Sequence, residues 1–423
     1  MTILITILIT AVATTLCLLI ALNLRSPEQQ VTKCIETEYS VRDEQFSRVM
    51  SHLLGPPIVP GNKITQLVNG DQIFGAMLAG IRGAQKTVTF ETYVYWGGVI
   101  GKEFCEAFCE RALAGVKVHV LLDALGTQSM DTELLEKMEQ CHVEVEHFHP
   151  IRWYNLFRMN HRTHRKLLII DGVKGYIGGV GIADEWTGNA RNTNEFRDTH
   201  FEVEGPVVAH LQAAFTDNWL RTHARVLHEV EYFPALEAKG EAQGQVFTSS
   251  PQGGSASASL MYMLSIAAAR DRIIIENSYF VPDETAVEAF CDAVKRGVKV
   301  QIIVPGPEID MAVVRQASRA SWGKLLETGV EIYEYLPTMF HCKILIIDDI
   351  WVSVGSTNFD NRSFRLNDEA NLNVIDEKLA AELTAQFEED LRVSVPITYS
   401  AWKNRPRREK MMENIAHLFR GQL

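Results

Sequence analysis

The chain has 423 residues, a net charge of −12, 46% hydrophobic residues and 22% charged ones. These are the proportions of a globular protein long enough for two domains with separate cores. They exclude the basic excess of a general nucleic-acid binder, yet leave room for a local cluster of Lys, His and Arg around an anionic substrate.

From Thr2 to Leu24 no residue is charged, and Arg25 is the first charge. About 20 apolar residues cross a bilayer as a helix. With no basic segment before the run and no small-residue cleavage site after it, an uncleaved anchor over 1–25 is expected rather than a secretory signal. The stretch 26–60, with Pro27, Pro56, Pro57 and Pro60, reads as a linker.

From residue 61 the chain repeats itself, with a first unit over 61–243 and a second over 244–397. A helical pattern at Phe74–Ile81 is answered at Ser259–Ile266, and the strand Thr87–Tyr93 at Arg272–Tyr279. The next helix stops at Gly115 in one unit and Gly297 in the other, and an apolar strand starts at once. Val143-Glu144-Val145 is matched by Val330-Glu331-Ile332. Alternating strands and helices of this length argue an α/β fold with a largely buried sheet in each unit. Between Pro150 and His164 the first unit has about ten residues more than the second has between Pro337 and His341, all within 151–163. With Trp153, Tyr154, Phe157 and three arginines they suit a membrane interface, or a loop packed on its own domain.

Both units then carry His-x-Lys-x4-Asp: His164, Lys166 and Asp171 in the first, His341, Lys343 and Asp348 in the second. Each Lys is followed by an apolar strand, Leu167–Ile170 or Ile344–Ile347, and then by a glycine-led turn. On a strand i and i+2 share a face, so each His points the same way as its Lys: a nucleophile beside a fixed positive charge. The tail 398–423 runs from Lys403 to Lys410 with five basic residues, then Met411, Met412, Ile415, Leu418 and Phe419. It reads as a short basic amphipathic helix that lies on a membrane or docks on the domain. The seven cysteines show no zinc spacing, so reduced thiols are expected rather than a disulfide framework.

These residues together resemble the phospholipase D superfamily, and within it the bacterial cardiolipin synthases. The signature His-x-Lys-x4-Asp-x6-Gly-Ser-x-Asn is complete from His341 to Asn358. The closer likeness rests on Glu91-Thr92-Tyr93, the stretch from Gly178 to Trp186, Phe196–His200, Asn277–Asp283 and Gly355–Ser363. The resemblance implies two tandem phospholipase D-like domains packed about a pseudo-twofold axis. It also implies a single-pass enzyme of the bacterial plasma membrane that makes cardiolipin from phosphatidylglycerol and a second phospholipid. The alternatives are a hydrolase yielding phosphatidic acid and, less in keeping with the acidic charge, a nuclease.

The implied course is a two-step transfer through a phosphohistidine, without metal or other cofactor and without a nucleic-acid partner. Its candidate catalytic set is His164, Lys166, Asp171, His341, Lys343 and Asp348. His164 is placed as nucleophile and His341 as acid/base, an order the resemblance would also allow in reverse. Lys166, Lys343 and Asn358 would bind the phosphoryl group. Asp171 and Asp348, at the far ends of their strands, read as structural. Glu369 matches the family's His-orienting carboxylate, with Asp198, or else Glu195, as its counterpart. Gly181 stands where the signature has Asn, so the first unit lacks one phosphate donor or replaces it with a backbone N–H.

Overall fold

The computed structural model describes residues 2–24, 35–150, 160–251 and 257–422. The first half contributes β1 Val59–Val68, β2 Thr87–Thr92, β3 Lys117–Asp123, β4 Glu144–Phe148, β5 Arg162–Thr163, β6 Leu167–Ile170, β7 Lys174–Gly178 and β8 Thr199–Glu204. The second contributes β9 Ala242–Ser249, β10 Arg272–Asn277, β11 Lys299–Pro305, β12 Glu331–Tyr335, β13 Lys343–Ile347, β14 Trp351–Gly355, β15 Asn367–Ile375 and β16 Ser394–Ile397.

The strands join in the order β16-β12-β11-β10-β13-β14-β15-β9-β1-β8-β7-β6-β2-β3-β4, with β5 pairing β15 off this path. Outward from the central β9–β1 pair, the order is the same in both directions until β16. The two halves are therefore copies of one mixed α/β unit placed back to back. Within each copy β2-β3-β4 and β10-β11-β12 are parallel, as alternation with helices requires, whereas β6-β7-β8 and β13-β14-β15 are antiparallel. The reason is the turn after each His/Lys strand. Asp171-Gly172 and Asp348-Asp349 both take left-handed backbone, reversing the chain in a space too short for a helical crossover.

Three apolar layers hold the molecule. Leu168 and Ile170 face the outer core of the first half, with Phe90, Phe104 and Phe108. Leu345 and Ile347 face that of the second, with Trp322 and Trp351. Between the halves lies a third core in which Leu167, Ile169, Ile177 and Phe201 meet Ile344, Ile346, Val352 and Leu372. The apolar runs after Lys166 and Lys343 are continuous because both strand faces are buried.

Four expectations change, narrow or fall outside the described residues. The supposed linker 26–60 contains a helix, Glu44–Leu54, whose Phe46, Met50 and Leu54 sit one turn apart and enter the second-half core. The prolines after it end that helix and do not mark a free tether. Thr2–Leu24 forms one helix of 23 residues. Among the described residues no helix is long and apolar enough to cross a membrane, and several side chains of Thr2–Leu24 lie outside them. The aromatic segment with Trp153, Tyr154 and Phe157 lies outside the described residues as well. The tail forms a helix, Arg407–Leu418, packed on the helix Ala312–Thr328 through buried Glu413 and Ala416.

Candidate active site

His341 and Lys343 stand at the head of β13, and His164 and Lys166 just before β6. Each Lys turns back to donate from Nζ to the carbonyl of its own His, at 2.8 Å in both halves. In the second half the two side chains of His-x-Lys share a face, because the Lys343 ammonium also reaches the His341 ring. Lys343 also donates to Ser278 Oγ at 2.6 Å and lies 3.3 Å from the His341 ring.

The backbone at each His is held by the opposite half. His164 N–H donates to the Asp368 carbonyl at 2.8 Å, continuing the parallel pairing of β5 with β15. His341 N–H donates to the Arg197 carbonyl at 2.7 Å. The side chains cross in the same sense. His164 Nδ1 lies 3.0 Å from both oxygens of Glu369, and His341 Nδ1 lies 2.8 Å from Asp198 Oδ2. Glu195, the alternative to Asp198, is spent on a surface turn with Asn189, Arg191 and Asn192.

Each carboxylate has its own support. Glu369 accepts from Ser356 Oγ at 2.5 Å and from Asn367. Gly179 occupies the place of Ser356 in the first half, where a Cβ would come within 2.8 Å of both Asp198 oxygens. There Asp198 accepts instead from the indole of Trp186 at 3.1 Å and from Thr199 N–H at 2.8 Å. Buried Arg197 steadies this strand, pairing with Asp390 at 2.7 Å and donating to the Asp198 carbonyl. The chain before His164 is clamped likewise: Thr163 donates from Oγ1 to Glu91 and from its N–H to Asp123.

Both imidazoles, Lys166 and Asn358 line one cavity of about 210 Å³, together with Tyr93, Trp96, Trp186, Phe196, Tyr279, Asp310, Met311 and Arg362. Burial sets its electrostatics. It lowers the His164 imidazole to about 4, with Glu369 pulling the other way, and it lowers that of His341 too. It brings the Lys166 ammonium down to about 7, and Lys343 also falls. Burial alone would raise the two carboxyls, but the facing histidines and lysines outweigh it and hold Asp198 and Glu369 below their usual range.

Asn358 is set by Ser278, whose Oγ donates to its Oδ1 at 2.7 Å. Its counterpart Gly181 packs against Val94, and a Cβ there would be 2.7 Å from Val94 Cβ. The missing Asn is thus a filled position, with an apolar wall in its place. Among the described residues no group of three His, Cys, Asp or Glu is gathered as a metal would need.

Of the six residues of the two motifs, Asp171 and Asp348 do not line this cavity, and their contacts are those of the structural role read for them at the far ends of their strands. Asp171 accepts from the backbone N–H groups of Gln85, Lys86 and Thr87, and Asp348 from those of Arg270, Asp271 and Arg272. Each caps the N-terminal end of the neighbouring strand, which a carboxylate in left-handed backbone at a hairpin is shaped to do. Asp348→Ala strands these donors and is expected to cost about 3 kcal/mol, read as a fall in denaturation midpoint. Activity per folded molecule should persist, and an unchanged midpoint would count against the cap.

Sequence reasoning gave no role to Ser278, Tyr93, Tyr279 or Trp186. The available signal was their position: Tyr93 and Ser278-Tyr279 directly follow β2 and β10, matching strands of the two repeats.

The chain matches the family model described as "Cardiolipin synthase, PLD-like domain" over residues 77–219 and 262–391. It is 33% identical over 362 residues to cardiolipin synthase A of Pseudomonas syringae, covering 84% of this chain and 74% of that protein. It is 34% identical over 361 residues to the major cardiolipin synthase ClsA of Bacillus subtilis, with the same coverage. Among solved structures, phosphatidylserine synthase of Haemophilus influenzae superposes with a TM-score of 0.68 over 90% of this chain and 100% of that one. At 14% identity that likeness speaks for the fold alone.

Proposed function

We infer the reaction from one premise: the chain belongs to the phospholipase D-like cardiolipin synthase family. It is a phosphatidyl transferase that makes cardiolipin from phosphatidylglycerol and a second phospholipid. The observation that carries this reading is the pair of imidazoles in one cavity, each with Nδ1 on a buried carboxylate, so that each presents Nε2 to a single phosphodiester.

In the first step Nε2 of His164 attacks phosphorus. The bond to the glycerol headgroup breaks, and His341 gives its Nε2 proton to the departing oxygen. In the second, a headgroup hydroxyl of the acceptor lipid passes its proton to His341 and attacks the phosphohistidine, and His164 leaves. Lys166, Lys343 and Asn358 hold the phosphoryl oxygens as negative charge grows on them. Glu369 and Asp198 keep each Nδ1 protonated and stabilise the positive charge of a substituted or protonated ring. Thr2–Leu24 serves as a single membrane span in the bacterial plasma membrane, a reading supported by its uncharged sequence.

The purified protein in vesicles with labelled phosphatidylglycerol, with and without phosphatidylethanolamine, tests the reading. Labelled cardiolipin is the expected product. Phosphatidic acid alone would replace the synthase with a hydrolase.

The pH profile carries a further expectation. A nucleophilic imidazole must be neutral, and His164, lowered to about 4, remains so through neutrality. Lys166 is charged below its lowered value of about 7 and loses its charge above it. His341, the proton donor, is lowered too, so in the free enzyme kcat/KM should fall as pH rises, first as His341 loses its proton and again past about 7 as Lys166 loses its charge, as a property of the coupled cluster. A profile without a break near 7 would remove Lys166 from phosphate binding, and one flat from pH 6 to about 9 would also remove His341 as the proton donor.

A further inference from the structure

The helix Arg407–Leu418 is docked the wrong way round for a water-soluble surface. At 3.6 residues per turn, Met411, Ile415, Leu418 and Phe419 fall on one side, and Glu413 and Ala416 on the other. The side turned inward is the polar one. Glu413 is buried, paired with Arg319 at 3.0 Å and Arg405 at 2.5 Å, while Ala416 packs with Val281, Val314 and Ala317. The apolar side is left outside: Met411 is 56% exposed, Ile415 48%, Leu418 81% and Phe419 59%. A helix free to choose buries its apolar stripe; here the buried ion pairs hold that stripe out. Apolar side chains gathered at helical spacing on a surface mark an interaction site.

Two observations say what covers it. Arg407 and Arg408 are exposed at its start and exposed Lys403 precedes them, so the stripe begins under a basic cluster suited to anionic headgroups. The helix also ends beside the active-site cavity. The carbonyls of Arg420 and Gln422 accept from Asn361 and Arg362, and Arg362 lines that cavity. Tyr279, another lining residue, packs on the cluster that holds Ala416.

We propose that the outward face of Arg407–Leu418 is a docking surface for an anionic bilayer, seating the mouth of the active site on the membrane from which its lipid is drawn. The proposal rests on the lipid-transferase reading above and adds where the catalytic body meets the lipid. It is distinct from the proposed membrane span Thr2–Leu24.

The test uses the full chain reconstituted in vesicles of phosphatidylglycerol and phosphatidylcholine. A photo-crosslinking benzoylphenylalanine replaces Phe419 or, as reference, Leu113, which is 67% exposed on the first half. Lipid adducts at 419 should exceed those at 113 by about 10-fold or more, since burial of one large side chain is worth at least that factor. Equal yields, or an adduct to a second copy of the chain, would overturn the proposal. This arm needs no turnover, so it stands apart from any failure of the transferase reading. In a second arm, Ile415→Asp with Leu418→Asp should raise the apparent KM for phosphatidylglycerol in the bilayer about 10-fold. Turnover of a short-chain, monomeric phosphatidylglycerol should be unchanged. Loss on both substrates, or on neither, would show that the face does not dock on lipid.

Discussion

His164→Ala and His341→Ala are each expected to abolish cardiolipin formation in vesicles while leaving the fold intact. Both rings sit at strand starts whose backbone is held independently, by Asp368 and Arg197, so truncation removes chemistry before it removes structure. Loss of the group that protonates the leaving glycerol costs about 10²–10⁴ in rate. Loss of the nucleophile removes the covalent route altogether. The two variants should differ in a way that assigns the roles. With donor labelled in its phosphate and the reaction quenched, His341→Ala should still accumulate label on the protein slowly, and His164→Ala should accumulate none. The opposite pattern would exchange the two histidines; near-full turnover in either variant would sink the two-histidine mechanism.

Glu369→Gln and Asp198→Asn should be nearly as severe, by about 10³–10⁴ in kcat, the loss seen where an isosteric amide replaces the carboxylate behind a catalytic imidazole. The physical reason lies in burial. Both carboxyls are almost wholly enclosed, and each is held below its usual range by the groups it faces. An amide keeps the shape but not the charge, so the ring can settle in the wrong tautomer and a phosphorylated or protonated imidazole is left uncompensated. Circular dichroism and the denaturation midpoint establish that the fold survives, and steady-state kinetics reads the loss. A decrease of less than about 10-fold would reduce these carboxylates to packing.

Much of this was legible in the residues because it was periodic or repeated. The shared face of His and Lys follows from strand geometry, and the duplicated unit from matching segments such as Gly115-Val116 and Gly297-Val298. The antiparallel middle of each half was not, since a three-residue reversal and a helix crossover both begin with a glycine or aspartate after an apolar strand. The helix Glu44–Leu54 was masked by the prolines around it. The crossing of Glu369 to His164 and Asp198 to His341 was out of reach for another reason: pairing across halves depends on how the two halves pack, and no spacing along one chain encodes that. The outward apolar face of Arg407–Leu418 depends likewise on the burial of Glu413, which pattern alone assigns to solvent.

The crossed pairing also fixes the order in which this molecule fails. Neither half owns a working imidazole: each supplies one ring and lends its carboxylate to the other's. The seam between them is formed of Leu167, Ile169, Ile344 and Ile346 on the far side of the same strands. A slip of about an ångström along that seam would draw both carboxylates off both rings at once, while leaving the helices and strands within each half unchanged. Heat, denaturant or a smaller side chain at the seam is therefore expected to lower activity before the circular dichroism spectrum changes. The catalytic rate is the most sensitive gauge of how tightly the two copies hold together.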